Sequence, residues 1–298
     1  GLKPTYGAVS RNGIIAYGSS LDQAGPIAAC AEDAALVFDA ICAKDPGDMT
    51  SAGSEPVTPR LKDSVKGLRV GVAREFFEVM SPAVEEAVER AIRTFEKMGA
   101  EIVSLDFPML KHALPTYYII ASAEAASNLG RFDGLRYGYR AENAKDLDDF
   151  ICRTRSEGFG QEVRRRILLG TYVLSAGYYD AYYNKAQQLR RAIRGKFAEM
   201  FGQCDLLLAP TVTGTALKKG SAMSPVEVYQ TDLCTVSVNL AGLPAVSVPC
   251  GFDDKGLPIG MQLVGSHFRE DLVLSAALAF EKETAGEYLR ESGMGVKL

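Results

Sequence analysis

Histidine is nearly absent from this sequence: 298 residues carry only His112 and His267. A Ser-His-Asp or Cys-His mechanism needs an imidazole as its base. His112 falls in MLKHAL, at a predicted helix start, and His267 in GSHFRED, just ahead of the last predicted helix. Neither lies in a nucleophile context, no G-x-S-x-G elbow occurs, and both read as ordinary loop or capping histidines. The expectation for any hydrolytic chemistry here is a base other than histidine. The six cysteines (30, 42, 152, 204, 234 and 250) are widely scattered. They form no C-x-x-C pair and no Cys/His cluster at metal spacing, so the expectation is no metal and buried free thiols in a reducing compartment. No apolar run approaches the length of a membrane span, and no charged leader with an apolar core opens the chain. The expected location is the cytoplasm, with no membrane partner. A basic excess is also missing: net charge is −4 and the isoelectric point about 5.5. That balance argues against this chain gripping a nucleic acid by itself.

What is present is an ordinary globular composition, 47% hydrophobic and 23% charged. A single domain over 1–298 is expected, of α/β class with a mixed sheet covered by helices. Residues 31–43 have helical apolar spacing, and the Pro-, Gly-, Ser- and Asp-rich stretch 44–60 reads as a loop. Residues 68–73 and 100–106 read as parallel strands. The helix between them starts at Ser81-Pro82, as N-cap and first helical residue, and ends at Gly99. Helices are expected over 116–129, 146–156, 161–176, 178–201, 226–241 and 269–284. A buried strand covers 205–209, and strands 244–250 and 259–265 form a hairpin around FDDKGLP. All five strands should share one sheet, and any ligand cleft should open near Pro210-Thr211, beyond the carboxyl end of a strand.

The run Arg164-Arg165-Arg166 is the most informative charge pattern. Successive helical residues point about 100° apart, so three in a row cannot share one face. The apolar stripe of this helix runs Val163, Ile167, Gly170, Leu174. Arg166 lies within that stripe, whereas Arg165 points the opposite way. An inward arginine needs a partner, because a buried lone charge is costly. That partner is either an interior carboxylate or an anionic ligand. Asp232, set among apolar residues in VYQTDLCTVSVNLAGLP, reads as a helix cap or a buried acid. Tyr117 and Tyr118 precede IIASAEAA at a predicted helix start. They read as core rings whose hydroxyls find partners, as do the tyrosines of GYYDAYY.

Three stretches together resemble the amidase-signature family: GLKPTYGAVSRNGIIAYGSSLDQAGPI, SEGFGQEVRRRILLGTYVLSAGYYDAYY, and NLAGLPAVSVPCGF with GLPIGMQLVG. Within that family they are most similar to the glutamine-hydrolysing subunits of tRNA-dependent amidotransferases. The resemblance implies a Ser–cis-Ser–Lys triad in place of a histidine base, in a segment that precedes GLKPTYG. On that expectation the catalytic triad lies ahead of residue 1, and no residue here is catalytic. Lys3 and Gly18-Ser19-Ser20 belong to other motifs. The resemblance further implies that Tyr117, Arg166 and Asp232 contact a substrate glutamine. It implies a cytoplasmic heterotrimer with subunits B and C that converts Glu-tRNA(Gln) or Asp-tRNA(Asn) to the amide. ATP and Mg would be used by the partner subunit, tRNA would be met only through that partner, and this chain would carry no cofactor. A stand-alone amidase acting on another amide and a non-catalytic scaffold are the competing expectations.

Overall fold

The computed structural model describes residues 1–220 and 224–284. In chain order the elements are β1 (Leu2–Lys3), α1 (Ala31–Ile41), β2 (Arg69–Ala73), α2 (Pro82–Lys97), β3 (Glu101–Leu105), α3 (Leu110–Leu129), α4 (Leu147–Gly158) and α5 (Gln161–Leu174). A π-helical turn over Tyr179–Asn184 then leads into α6 (Lys185–Phe201). The remainder is β4 (Leu206–Pro210), α7 (Pro225–Gln230), α8 (Leu233–Ala241), β5 (Ala245–Phe252), β6 (Pro258–Gly265) and α9 (Glu270–Glu283). The chain packs as two compact units. The first comprises residues 1–12, 23–114 and 191–298, and the second 13–22 and 115–190.

The first unit is built on a mixed sheet of order β1-β5-β6-β4-β2-β3. All five expected strands lie in it, together with the two-residue β1, too short to leave a pattern in the sequence. Strand β2 pairs in parallel with β3, Arg69 facing Glu101, and with β4. Strands β5 and β6 form the antiparallel hairpin. Its turn is closed by Asp253, whose backbone N–H donates to the Leu257 carbonyl, and Gly256 adopts a φ of 75° there. The period-2 alternation of strands sends Leu206, Leu208, Val246, Val248, Ile259, Met261 and Leu263 to one face. There they join Val84, Val88 and Phe95 of α2, Phe38 of α1 and Val273 and Phe280 of α9 in one buried cluster. Phe76, Phe107 and Phe197 form a second aromatic run, with ring centroids 5.9 and 4.8 Å apart.

Two expectations are corrected here. Ser81 is the N-cap residue of α2 by position, but its side chain makes no capping bond. The single helix over 226–241 is two helices, α7 and α8, interrupted at Thr231-Asp232. The break is local chemistry: the Thr231 hydroxyl bonds back to the Val228 carbonyl, and Thr231 N–H and Asp232 N–H close tight turns on Val228 and Tyr229. Such side-chain bonds compete with the helical ladder. Among the cysteines, 42, 204, 234 and 250 are buried as expected, whereas Cys30 is half-buried and Cys152 is exposed; all six are free. Burial pushes the thiols of Cys234 and Cys250 up to about 12, which keeps them protonated and inert.

The second unit is helical. It packs α3 against α5 at very short range, because a Cβ at Gly170 would overlap the carbonyl oxygen of Ser122. Only glycine permits that approach. Arg155 of α4 donates 2.8 Å to the Leu129 carbonyl at the end of α3, supplying a partner for a terminal helix carbonyl.

Candidate functional site

Arg166 is the centre of the polar chemistry in the second unit. It stands on the second turn of α5 and is largely buried, its side chain 22% exposed, whereas the neighbouring Arg165 is 45% exposed. This is the inward–outward division that the helical geometry predicts. Its guanidinium donates 3.0 Å to Glu162 Oε1 through Nε and 2.7 Å to the Tyr17 hydroxyl through Nη1. The Tyr17 and Tyr118 rings lie 5.8 and 5.4 Å from its central carbon, within cation–π range. Burial works against the charge, but the bonds to Tyr17 and Glu162 outweigh it and hold Arg166 more firmly protonated than an ordinary arginine. The Tyr17 phenol is pushed up by burial, against the lowering pull of Arg166. The carboxylate that Arg166 meets is Glu162, one turn back on the same helix and 44% exposed, so it is a partner at the surface and not the interior carboxylate expected; Tyr17 bonds the guanidinium from outside the helix.

Of the two adjacent tyrosines, Tyr118 packs against Arg166, and Tyr117 meets the Tyr118 ring edge-on, with centroids 5.2 Å apart. Both belong to the second unit, as Arg166 does; Asp232 belongs to the first. Asp232 is half-buried at the N-cap position of α8. Its side chain does not cap the helix, and its backbone carbonyl takes the N–H groups of Thr235 and Val236, each at 3.0 Å. It is the expected helix cap by position, without a side-chain capping bond, and it is half-buried where a buried acid was the alternative.

Glu162 was legible in the sequence: a carboxylate four residues before an arginine on a helix is a spacing that brings the pair together. Tyr17 was not, since 149 positions separate it from Arg166. Near Pro210-Thr211, the Thr211 and Ser247 hydroxyls share a 2.7 Å bond, and Gln262 donates to the carbonyls of Pro210 and Cys234. An open cleft of about 450 Å3 lies elsewhere in the first unit, lined by Lys44, Ser54, Glu55, Arg60 and Phe268; it contains none of the expected site residues.

Lys3 heads a second polar cluster, confined to the first unit. Its ammonium donates to the carbonyls of Pro4 and Leu243 and to Gln23 Oε1, three acceptors for three protons. Gln23 in turn donates 2.7 Å to Asn239. Burial nevertheless pulls the Lys3 pKa down to about 7, against the raising pull of Glu270. Glu270 is buried, with one oxygen taking the Thr5 N–H at 2.7 Å. His267 holds the Ala241 carbonyl through Nε2, and burial lowers its pKa too. Among the described residues no group of three or more His, Cys, Asp or Glu could hold a metal, and no helix is long and apolar enough to cross a membrane.

A mixed six-stranded sheet covered by helices is the fold class that the comparisons identify. The Amidase family model matches residues 1–274, and the chain belongs to that family. Among its relatives, the A subunit of glutamyl-tRNA(Gln) amidotransferase from Caldanaerobacter subterraneus subsp. tengcongensis is 52% identical over 286 residues. The protein of the same name from Acinetobacter baumannii (strain AYE) is 51% identical over 289 residues. These alignments take in 95% of this chain but only 58% and 59% of those proteins. The crystal structure of the Thermotoga maritima protein, again of that name, is 40% identical and superposes with a TM-score of 0.77, over 95% of this chain and 57% of that one.

Proposed function

We propose that this chain is part of the glutamine-hydrolysing subunit of a tRNA-dependent amidotransferase, the enzyme that converts Glu-tRNA(Gln) or Asp-tRNA(Asn) to Gln-tRNA or Asn-tRNA. The observation that carries the reading is Arg166, half-sequestered between two tyrosine rings in a chain half-identical to proteins named for that activity. A planar guanidinium held this way suits a carboxylate. In this reading Arg166 takes the α-carboxylate of glutamine, Asp232 takes its α-ammonium, and Tyr117 lines the pocket. The chain spans 58% of the first of these relatives, and no nucleophile or base is assigned among its residues. ATP and Mg belong to a partner subunit, which also meets the tRNA; subunits B and C are the partners, and the site of action is the cytoplasm.

The test is ligand discrimination by this chain. Calorimetric titration should give binding of glutamine that weakens at least about tenfold for glutamine α-amide, which lacks the charge Arg166 would pair with. It should weaken likewise for N-acetylglutamine, which lacks the ammonium. Equal affinity for all three, or binding of none, overturns the glutamine reading. A general amidase acting on an uncharged amide then takes its place.

A further inference from the structure

Tyr17 stands on a scaffold far more elaborate than a tyrosine filling space requires. The segment 17–22 has no helix or strand of its own, yet its polar groups are heavily engaged. Asp22 takes the backbone N–H groups of Tyr17 and Gly18 at 2.8 and 3.0 Å. Asn128 donates to the Tyr17 carbonyl at 3.0 Å and to Ser19 Oγ at 2.8 Å. Glu124, one turn earlier on α3, takes the Ser20 N–H at 2.9 Å and the Ser20 hydroxyl at 2.6 Å. Arg190 donates to the Ser20 carbonyl at 2.8 Å and to its hydroxyl. Glu124 and Asn128 are four apart, so one face of α3 presents both to the loop. A loop fixed at so many points delivers the Tyr17 hydroxyl to one place, and Arg166 Nη1 is bonded to it there.

We propose that Tyr17 is a positioning residue for Arg166: its hydroxyl and ring fix the guanidinium, so that a carboxylate ligand meets a donor already oriented. Long charged side chains lose rotamer freedom when they bind, and a clamp that has removed that freedom beforehand binds its ligand more tightly. Glu162 holds Nε from within α5, and Tyr17 holds Nη1 from outside it, so the plane is fixed at two of its nitrogens. The ligand class, an amino acid carboxylate, rests on the function proposed above; the positioning itself does not.

The experiment has two arms on the intact chain. In the first, the Arg166 side chain is followed by 15N NMR, assigned with Arg166→Lys. Wild type should show Nη protons in slow exchange, and Tyr17→Phe, which keeps the ring and removes only the hydroxyl, should bring them into fast averaging. Tyr17→Leu should do so more completely, and near-ultraviolet circular dichroism checks that each variant is folded. Unchanged Arg166 signals in both folded variants overturn the proposal. Should both variants fail to fold, Asn128→Ala, which frees the Tyr17 carbonyl, decides: averaging supports the proposal and none overturns it. In the second arm, Tyr17→Phe should weaken glutamine roughly fivefold while leaving its α-amide unaffected. Averaged Arg166 signals with no carboxylate preference in wild type sink the glutamine reading and leave the positioning role standing. Rigid Arg166 signals in the variants, with carboxylate preference intact, do the reverse.

Discussion

The two units spend the same kinds of residue differently. Of the twelve largest fully buried side chains among the described residues, eleven lie in the first unit and one, Ile120, in the second. The second unit, like the first, leaves large apolar side chains exposed, among them Leu168, Tyr172, Tyr178, Tyr179 and Tyr182 at 41 to 71%. Its cohesion comes from a helix pair brought close by Gly170 and from charged and amide side chains that tie loops to helices. A core of interdigitated aliphatic and aromatic groups is non-directional and tolerant. A network of hydrogen-bonded charges is directional, and loses heavily when one member is removed. The first unit is therefore where stability resides, and the second is where a side chain such as Arg166 can be aimed.

Truncating one aromatic ring in each unit tests that contrast, and gives the largest effect expected. Phe280 is buried and stacks on Phe95 with centroids 5.5 Å apart. Phe280→Ala should cost about 3–5 kcal/mol, read as a lower urea midpoint. Tyr172 packs on Tyr178 at 4.4 Å but is 46% exposed, so Tyr172→Ala should cost about 1 kcal/mol or less. Comparable losses would break the comparison. The same melts show whether the two units unfold together. The chain passes between them at residues 12, 22, 114 and 190, and a single cooperative transition is the expected result.

The sheet was legible because β2, β4, β5 and β6 are short apolar runs bounded by turn residues, and the sequence shows both features directly. The division of Arg165 from Arg166 was legible because it needs only the helical period. Tyr17 escaped because its role depends on a contact across 149 positions that leaves no local mark. The break at Thr231-Asp232 escaped because a threonine hydroxyl competing with the backbone looks, in sequence, like any polar residue in a helix. Strand β1 escaped through its length: its partners at Ala245 and Val246 define it, and nothing within Leu2-Lys3 does.

A directional polar site also exists inside the first unit, and pH sharpens the contrast there. Lys3 titrates near 7 in the folded chain and near 10.5 when unfolded. Between those values the unfolded chain carries a proton that the folded chain has shed, so raising pH favours folding. The stability of wild type relative to Lys3→Met should rise from about pH 7 to 10.5, by up to about 1.4 kcal/mol per pH unit. Urea midpoints of both proteins across that window measure it. A flat difference would mean that the three acceptors around Lys3 keep the ammonium charged when folded.

The smallest effect expected is the most discriminating for the arginine run. Glu162 divides its carboxylate, one oxygen taking Arg165 at 2.7 Å and the other Arg166 at 3.0 Å. Arg165 and Glu162 are both close to half exposed, 45% and 44%, so water and salt screen their attraction. Arg165→Ala should therefore change stability by no more than about 0.5 kcal/mol, and the change should vanish in high salt. Glu162 keeps its bond to Arg166, and the Arg166 geometry set by Tyr17 should persist in the variant, visible as unaltered Arg166 15N resonances. Were Arg165→Ala to set Arg166 in motion, the carboxylate would be oriented mainly by its exposed partner. The inward arginine would then depend on the surface, and the division between a buried clamp and a solvated neighbour would fail.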